Sequence, residues 1–194
     1  MIQPSWKIWP ALLGGLWGMP AGWAFDAGET QRSGIYAATG TVQVAFTPGD
    51  NVTRLVAQAI QEARRQVLVQ AFSFTNRDIA FALVAAKKRG LDVQLIADPD
   101  QAEHIGTSLV DEIAAAGVPV FFDREHASAH NKVMVIDGDG RDAVVITGSF
   151  NFTQAAQHRN AENLLLLRGN PQLTAAYLRN WRQHRAHAVP FYPR

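Results

Sequence analysis

Apolar residues recur along this chain with two periods, and the switches between them mark the elements. Residues 41–46 alternate apolar and polar, as a half-buried strand does. Runs at 67–74, 91–97 and 118–122 are apolar and rich in β-branched residues, the signature of buried strands. Helical patterns separate them. One can be capped by Asp50 or Asn51 and runs to about Gln66. A second spans 76–89 and is stopped by Gly90, and a third spans 108–116 and ends at Gly117. Asp98-Pro99-Asp100 breaks the strand before it. Residues 132–137 and 143–147 read as two strands around the Asp137-Gly138-Asp139-Gly140 turn, a hairpin signal. An apolar run at 164–167 predicts a further strand, and a last helix runs from about Pro171 to His187. Strands alternate with helices early and become antiparallel late. The expected fold class is therefore α/β, a mixed parallel and antiparallel sheet flanked by helices on both faces.

The hairpin carries the chemistry. Side chains two apart on a strand share a face. His130 and Lys132 should point the same way, and so should Ser149 and Asn151 if extended backbone continues past Gly148. Antiparallel pairing then brings the two pairs to one end of the sheet. Neutral imidazole is a nucleophile near neutral pH, provided a carboxylate accepts its other N–H. Glu162, just ahead of the 164–167 run, is the candidate. Lys132 supplies a charge and three donors for non-bridging phosphate oxygens, and Ser149 and Asn151 add neutral donors. Positioning and charge stabilisation dominate phosphoryl transfer, so this inventory suits a phosphodiester.

His130-x-Lys132-x4-Asp137 followed by Gly148-Ser149-x-Asn151 resembles the HKD motif of the phospholipase D superfamily. Residues 71–75 (Ala-Phe-Ser-Phe-Thr) and 83–90 (Leu-Val-Ala-Ala-Lys-Lys-Arg-Gly) are similar to the small bacterial single-motif endonucleases of that superfamily, and the likeness spans roughly residues 40–185. The resemblance implies a phospholipase D-like α/β sandwich without a cofactor or required metal. It implies that His130 attacks phosphorus to form a phosphohistidine, that Lys132 and Asn151 grip phosphate oxygens with Ser149 assisting, and that Glu162 orients a histidine ring. Asp137 matches the motif, but its place beside a glycine turn points to a structural role. The interval from Asp137 to Gly148 is longer than usual, and its surplus, residues 138–142, is turn-type or charged. The leaving oxygen needs a general acid. The family uses two facing motifs, whereas this chain has one and no internal repeat; His126 lacks the x-Lys-x4-Asp context. The expectation is a homodimer sharing one active site, with His130 from both chains in one pocket.

Composition narrows the classes. An apolar content of 47% excludes a disordered chain, and the absence of cysteine excludes disulfides and thiolate metal sites. No His-x-x-x-His pair or carboxylate cluster reads as a metal site. His104, His158, His184 and His187 are expected at the surface or at helix ends. Four of the five tryptophans fall within residues 1–24, where Lys7 precedes an apolar segment and a small-residue stretch at 21–24. This reads as a signal peptide cleaved after Ala24, giving an exported, periplasmic protein; an N-terminal membrane anchor is the alternative. Residues 25–40 form a flexible lead-in, and 41–194 a single catalytic domain. Without residues 1–24 the chain balances 17 Lys+Arg against 17 Asp+Glu. Any nucleic-acid footprint must then be local, at Arg64-Arg65, Lys87-Lys88-Arg89 or Arg159. Lys87 to Arg89 also reads as a helix C-terminus matched to its dipole.

Three functions compete. The first is an exported, metal-independent phosphodiesterase, a nonspecific endonuclease on DNA with RNA as a further substrate. The second is a phospholipase D on phospholipid head groups, with identical chemistry and a different pocket. The third is a noncatalytic nucleic-acid-binding scaffold, disfavoured by intact His130, Lys132 and Glu162. Phe150 and Phe152 are expected in the core. Ser73 and Thr75 are assigned core or capping roles, and Glu162 pairing with Arg159 is the surface alternative to its catalytic role.

Overall fold

Among the described residues the chain forms eight strands and six helices. The computed structural model describes residues 33–193, and residues from Tyr36 onward form one unit. The proposed signal segment, and the lead-in up to residue 32, lie outside the described residues. In chain order the elements are β1 (Thr41–Thr47), α1 (Val52–Glu62), β2 (Gln66–Ala71), α2 (Arg77–Lys88), β3 (Asp92–Ala97), α3 (Pro99–His104) and α4 (Val110–Ala115). They continue with β4 (Val120–Phe122), β5 (Lys132–Ile136), β6 (Val144–Gly148), α5 (Gln154–His158), β7 (Glu162–Arg168), α6 (Pro171–His187) and β8 (Val189–Phe191). Among the described residues no helix is long and apolar enough to cross a membrane.

The strands form one sheet in the order β1-β7-β6-β5-β2-β3-β4-β8. The β2–β3 and β3–β4 pairs are parallel, and the other pairs are antiparallel. The sheet is mixed, as the pattern of crossovers and hairpins predicts. β5 lies between β2 and β6, and all five of its residues are buried. That is why its sequence is a continuous apolar run rather than an alternation. One face carries Val67, Val69, Met134, Ile136 and Ile146 into a core closed by α1 and α2. The other packs Leu68, Ile96, Val133 and Val135 against Leu178 and Trp181 of α6. Trp181 Nε1 also donates to the Val69 carbonyl at 3.1 Å, which fixes α6 on the sheet.

Local chemistry sets the helix ends. Asn51 and Asn76 cap α1 and α2, their side-chain oxygens accepting from Arg54 N and from Asp78 N and Ile79 N. Gly90, with φ of 90°, turns the chain out of α2. The Asp98-Pro99 break is also a helix start: Asp98 accepts from Gln101 N and Pro99 takes the first position of α3. α1 ends at Glu62, four residues before the position predicted. The N–H groups of Arg64, Arg65 and Gln66 go instead to the Asp137 carboxylate, at 2.9, 2.8 and 2.9 Å. β2 ends at Ala71 rather than running to Phe74, although Phe72 N still donates to the Asn131 carbonyl at 3.1 Å.

Asp137 therefore clamps the start of β2 to the end of β5. Its backbone has φ of 51°, a left-handed conformation that Asp tolerates better than most residues. Asp137→Ala removes three charge-assisted acceptors and disfavours the turn. It is expected to cost about 2–4 kcal/mol in urea unfolding; a loss below about 0.5 kcal/mol contradicts the clamp.

Candidate active site

The polar ends of β5, β6 and β7 meet in an open cleft of about 580 Å³, lined by His130, Lys132, Ser149, Asn151 and Glu162 together with Val133 and Thr147. All five predicted site residues are brought together. Asp137 stands at the other end of β5, with its carboxylate occupied by backbone.

His130 lies two residues before Lys132, the first residue of β5, and is exposed, whereas Lys132 is 8% exposed. Lys132 Nζ lies 2.9 Å from His130 Nδ1 and donates to the His130 carbonyl at 2.6 Å. An ammonium has no lone pair, so Nδ1 acts as the acceptor here and the proton of a neutral ring sits on Nε2. Phe72 forms a platform, its ring centroid 4.4 Å from that of His130 and 4.9 Å from Lys132 Nζ. Burial pushes the Lys132 pKa below the ordinary lysine value, and the negative charge of Glu162 opposes that shift.

Ser149 and Asn151 reach the cleft by a route other than simple alternation. β6 ends at Gly148, and the N–H groups of Ser149 and Phe150 both donate to the Asn163 carbonyl, at 3.1 and 3.2 Å. This bulge aims Ser149 at Glu162. Gly148 has φ of 147°, and a Cβ there would stand 2.4 Å from the Asn163 carbonyl oxygen, so only glycine fits. Ser149 Oγ donates to Glu162 Oε2 at 2.6 Å, and Asn160 Nδ2 donates to Oε1 at 3.0 Å. Glu162 is thus held by Ser149 and Asn160, not by Arg159 or by its own His130. The amide oxygen of Asn151 is buried without a hydrogen-bond partner. Phe150 and Phe152 are core residues, each 1% exposed.

Sequence reasoning gave no role to Phe72, Asn160 or Asn163. Asn163 N and Nδ2 donate to Ser149 Oγ, and its carbonyl makes the bulge. Arg89 donates to the carbonyls of Ile60 and Ala63, which makes it a packing residue between α1 and α2 rather than part of a nucleic-acid footprint.

His184 and His187 stand in the last turn of α6, a helix end as expected, and there they join a second polar assembly. His184 and His187 fold with His126 around Asp123, which is 0% exposed. Nδ1 of His126 and of His184 lie 3.0 and 2.7 Å from the Asp123 oxygens, and His187 Nε2 lies 3.2 Å away. Burial alone would raise the Asp123 pKa. Hydrogen bonds from His184 and His126, with the nearby His187 ring adding to them, outweigh it and hold the carboxyl far below the usual range. The four ligand atoms lie within 4.8 Å of one another. None of these residues lines the cleft at His130.

Comparison with known proteins agrees with the fold. The family described as "Cardiolipin synthase, PLD-like domain" matches residues 56–185. The chain is 37% identical over 145 residues to a protein named phospholipase D from Rickettsia typhi, covering 75% of this chain and 68% of that one. It is 35% identical over 115 residues to a mitochondrial cardiolipin hydrolase of Chlamydomonas reinhardtii, covering 59% and 49% of the two chains. The crystal structure of Nuc, a phospholipase D family member from Salmonella typhimurium, superposes with a TM-score of 0.73 at 35% identity, covering 79% of this chain and 99% of that one. An open mixed sheet that gathers a histidine, a lysine and a carboxylate at one end defines a phosphodiesterase of the hydrolase class. The chain belongs to the phospholipase D superfamily.

Lys132 is held in the site at a cost in solvation. Lys132→Met removes a buried cation at nearly constant volume, so stability is expected to stay level or rise by about 1 kcal/mol. Turnover of a chromogenic phosphodiester should fall at least ~10³-fold. An active or strongly destabilised variant contradicts this placement.

Proposed function

We propose that the protein is a metal-independent, nonspecific endonuclease that hydrolyses DNA, with RNA as a further substrate, through a phosphohistidine on His130. The observation that carries this reading is the cleft itself. It is open, and its lining is short and polar apart from the side chain of Val133. A phosphodiester in a polymer backbone can lie across it. A phospholipid would need an apolar wall for its acyl chains beside the same groups. The likeness to single-motif endonucleases supports the same choice. The relatives named phospholipase D and cardiolipin hydrolase make head-group hydrolysis the second reading.

In the proposed reaction Nε2 of one His130 attacks phosphorus and forms a P–N bond. The P–O bond to the leaving alcohol breaks, and that oxygen takes a proton from Nε2–H of a second His130. Water then attacks phosphorus, gives its proton to the second ring, and releases the first. Lys132, Ser149 and Asn151 stabilise the non-bridging oxygens. The attacking ring needs its lone pair on Nε2 and its proton on Nδ1, with a carboxylate accepting that proton. Within one subunit Nδ1 faces Lys132, and Glu162 is bonded to Ser149 and Asn160. A second subunit supplies the missing partner, and we assign Glu162 of one chain to the His130 of the other.

An apolar stripe beside the cleft supports this homodimer. Val42, Val44 and Phe46 on the edge strand β1 are 63%, 50% and 56% exposed. Val44 pairs with Leu165 of β7, which pairs with Thr147 at the rim of the cleft. A twofold copy seated there would bring two clefts together. The reading keeps the exported, periplasmic location expected from residues 1–24.

The test incubates purified protein with circular DNA, RNA and phosphatidylcholine vesicles, each with and without chelator. Cleavage of circular DNA is expected at equal rates in both conditions, from a species sedimenting as a dimer, with His130→Ala at least ~10⁴-fold slower. Intact DNA alongside released choline moves the assignment to lipid. An active monomer removes the shared site.

A further inference from the structure

We propose that Asp123, His126, His184 and His187 bind one divalent transition-metal ion of the zinc class. The ion would act as a structural staple between the end of α6 and the loop that leads to His130. This proposal does not rest on the nuclease reading.

Two short-range pairs make the site. Asp123 and His126, three residues apart, follow β4. His184 and His187, also three apart, lie on one face of the last turn of α6. A tetrahedral zinc ion with bonds of about 2.0–2.1 Å spaces its ligand atoms about 3.3–3.4 Å apart. The nitrogens around Asp123 already stand 2.7, 3.0 and 3.2 Å from its oxygens. The three rings converge with centroids 4.9, 5.3 and 5.4 Å apart. Small rotations would seat an ion between them.

Two further observations point to a ligand. A buried carboxylate ordinarily takes a fixed cation, and among the described residues no lysine or arginine pairs with Asp123. Arg124 bonds Glu103 at 2.9 Å, and the Arg185 guanidinium lies 3.3 Å over the Phe121 ring. In addition, His187 Nε2 is buried without a hydrogen bond, although it stands 3.2 Å from an Asp123 oxygen. Its other ring nitrogen has Glu125 Oε2 at 3.6 Å, on the side where the N–H must point if Nε2 is to coordinate. A carboxylate in that outer position is how metal-bound histidines are commonly oriented.

The donor set identifies the ion. Three imidazoles and one carboxylate suit zinc, cobalt or nickel, whereas magnesium and calcium prefer all-oxygen sites. Four protein ligands fill a tetrahedron, which makes the ion structural and leaves no position for substrate. The C-terminus of α6 also favours a cation. The site would hold residues 123–129 from both sides, since Ala129 N already donates to buried Asp98 at 2.9 Å, one residue before His130.

The test uses the full chain, stripped with a chelator and titrated with Zn²⁺ against a chromophoric competitor. One ion per chain at sub-micromolar Kd is expected, with a rise of several degrees in Tm. Co²⁺ should give the intense visible bands of four-coordinate cobalt. His187→Gln should weaken Zn²⁺ binding at least 100-fold, and the His184→Gln/His187→Gln pair should abolish both binding and the Tm shift. Should the pair fail to fold by circular dichroism, His126→Gln, at a half-exposed position, carries the same expectation. His104→Gln/His158→Gln, at exposed histidines outside the cluster, should bind as the parent does. Absent binding, a six-coordinate cobalt spectrum, or equal affinity in the cluster variants overturns the proposal.

Discussion

A buried ammonium next to an exposed imidazole is the interaction on which this structure turns. Lys132 sits at the first position of a strand otherwise made of Val, Met, Val and Ile, and its amine closes on Nδ1 and the carbonyl of His130. Burial works against the charge, and Glu162 across the cleft works for it. The surrounding fold makes this tolerable. Asp137 fastens the far end of β5 to the start of β2, the bulge after Gly148 turns Ser149 toward Glu162, and Asn160 holds the other carboxylate oxygen. A phosphate entering the cleft would meet a cation already in place beside the nucleophile.

Much of this was legible in the chain because it depends on local patterns. Alternation and β-branched runs located seven of the strands, and Asn76 and Gly90 bounded α2 as caps should. His130 and Lys132 share a side because the strand period is two, and the cleft contains all five residues read as catalytic, while Asp137 stands apart in the structural role expected of it. What escaped depends on distant partners. The early end of α1 follows from an acceptor 71 to 73 residues away, and no local propensity records it. The short elements α3, α5 and β8 hold too few residues for periodicity to show. The orientation of Ser149 was expected from continued extension but comes from a bulge closed by Asn163. The Asp123 cluster joins residues 61 apart in the chain, and a search for His-x-x-x-His spacing passes over His-x-x-His.

The relatives bear names from lipid chemistry, while this cleft is lined mainly by polar residues. The two facts are compatible because the superfamily reaction needs only a phosphodiester, one nucleophile, one acid and charge stabilisation. Substrate choice then rests on what surrounds the cleft. Here that is the apolar stripe of β1 and the rim at Thr147, to which the proposed second subunit would add its own residues.

The central claim is that His130 bonds to phosphorus. The direct measurement is rapid acid-free quenching of the protein with an excess of an oligonucleotide phosphodiester, followed by peptide mass spectrometry under alkaline conditions. The account predicts a nucleotidyl phosphate on the peptide containing His130, lost on acid treatment and absent from His130→Asn. Turnover without any adduct on that peptide, or an adduct on another residue, contradicts it.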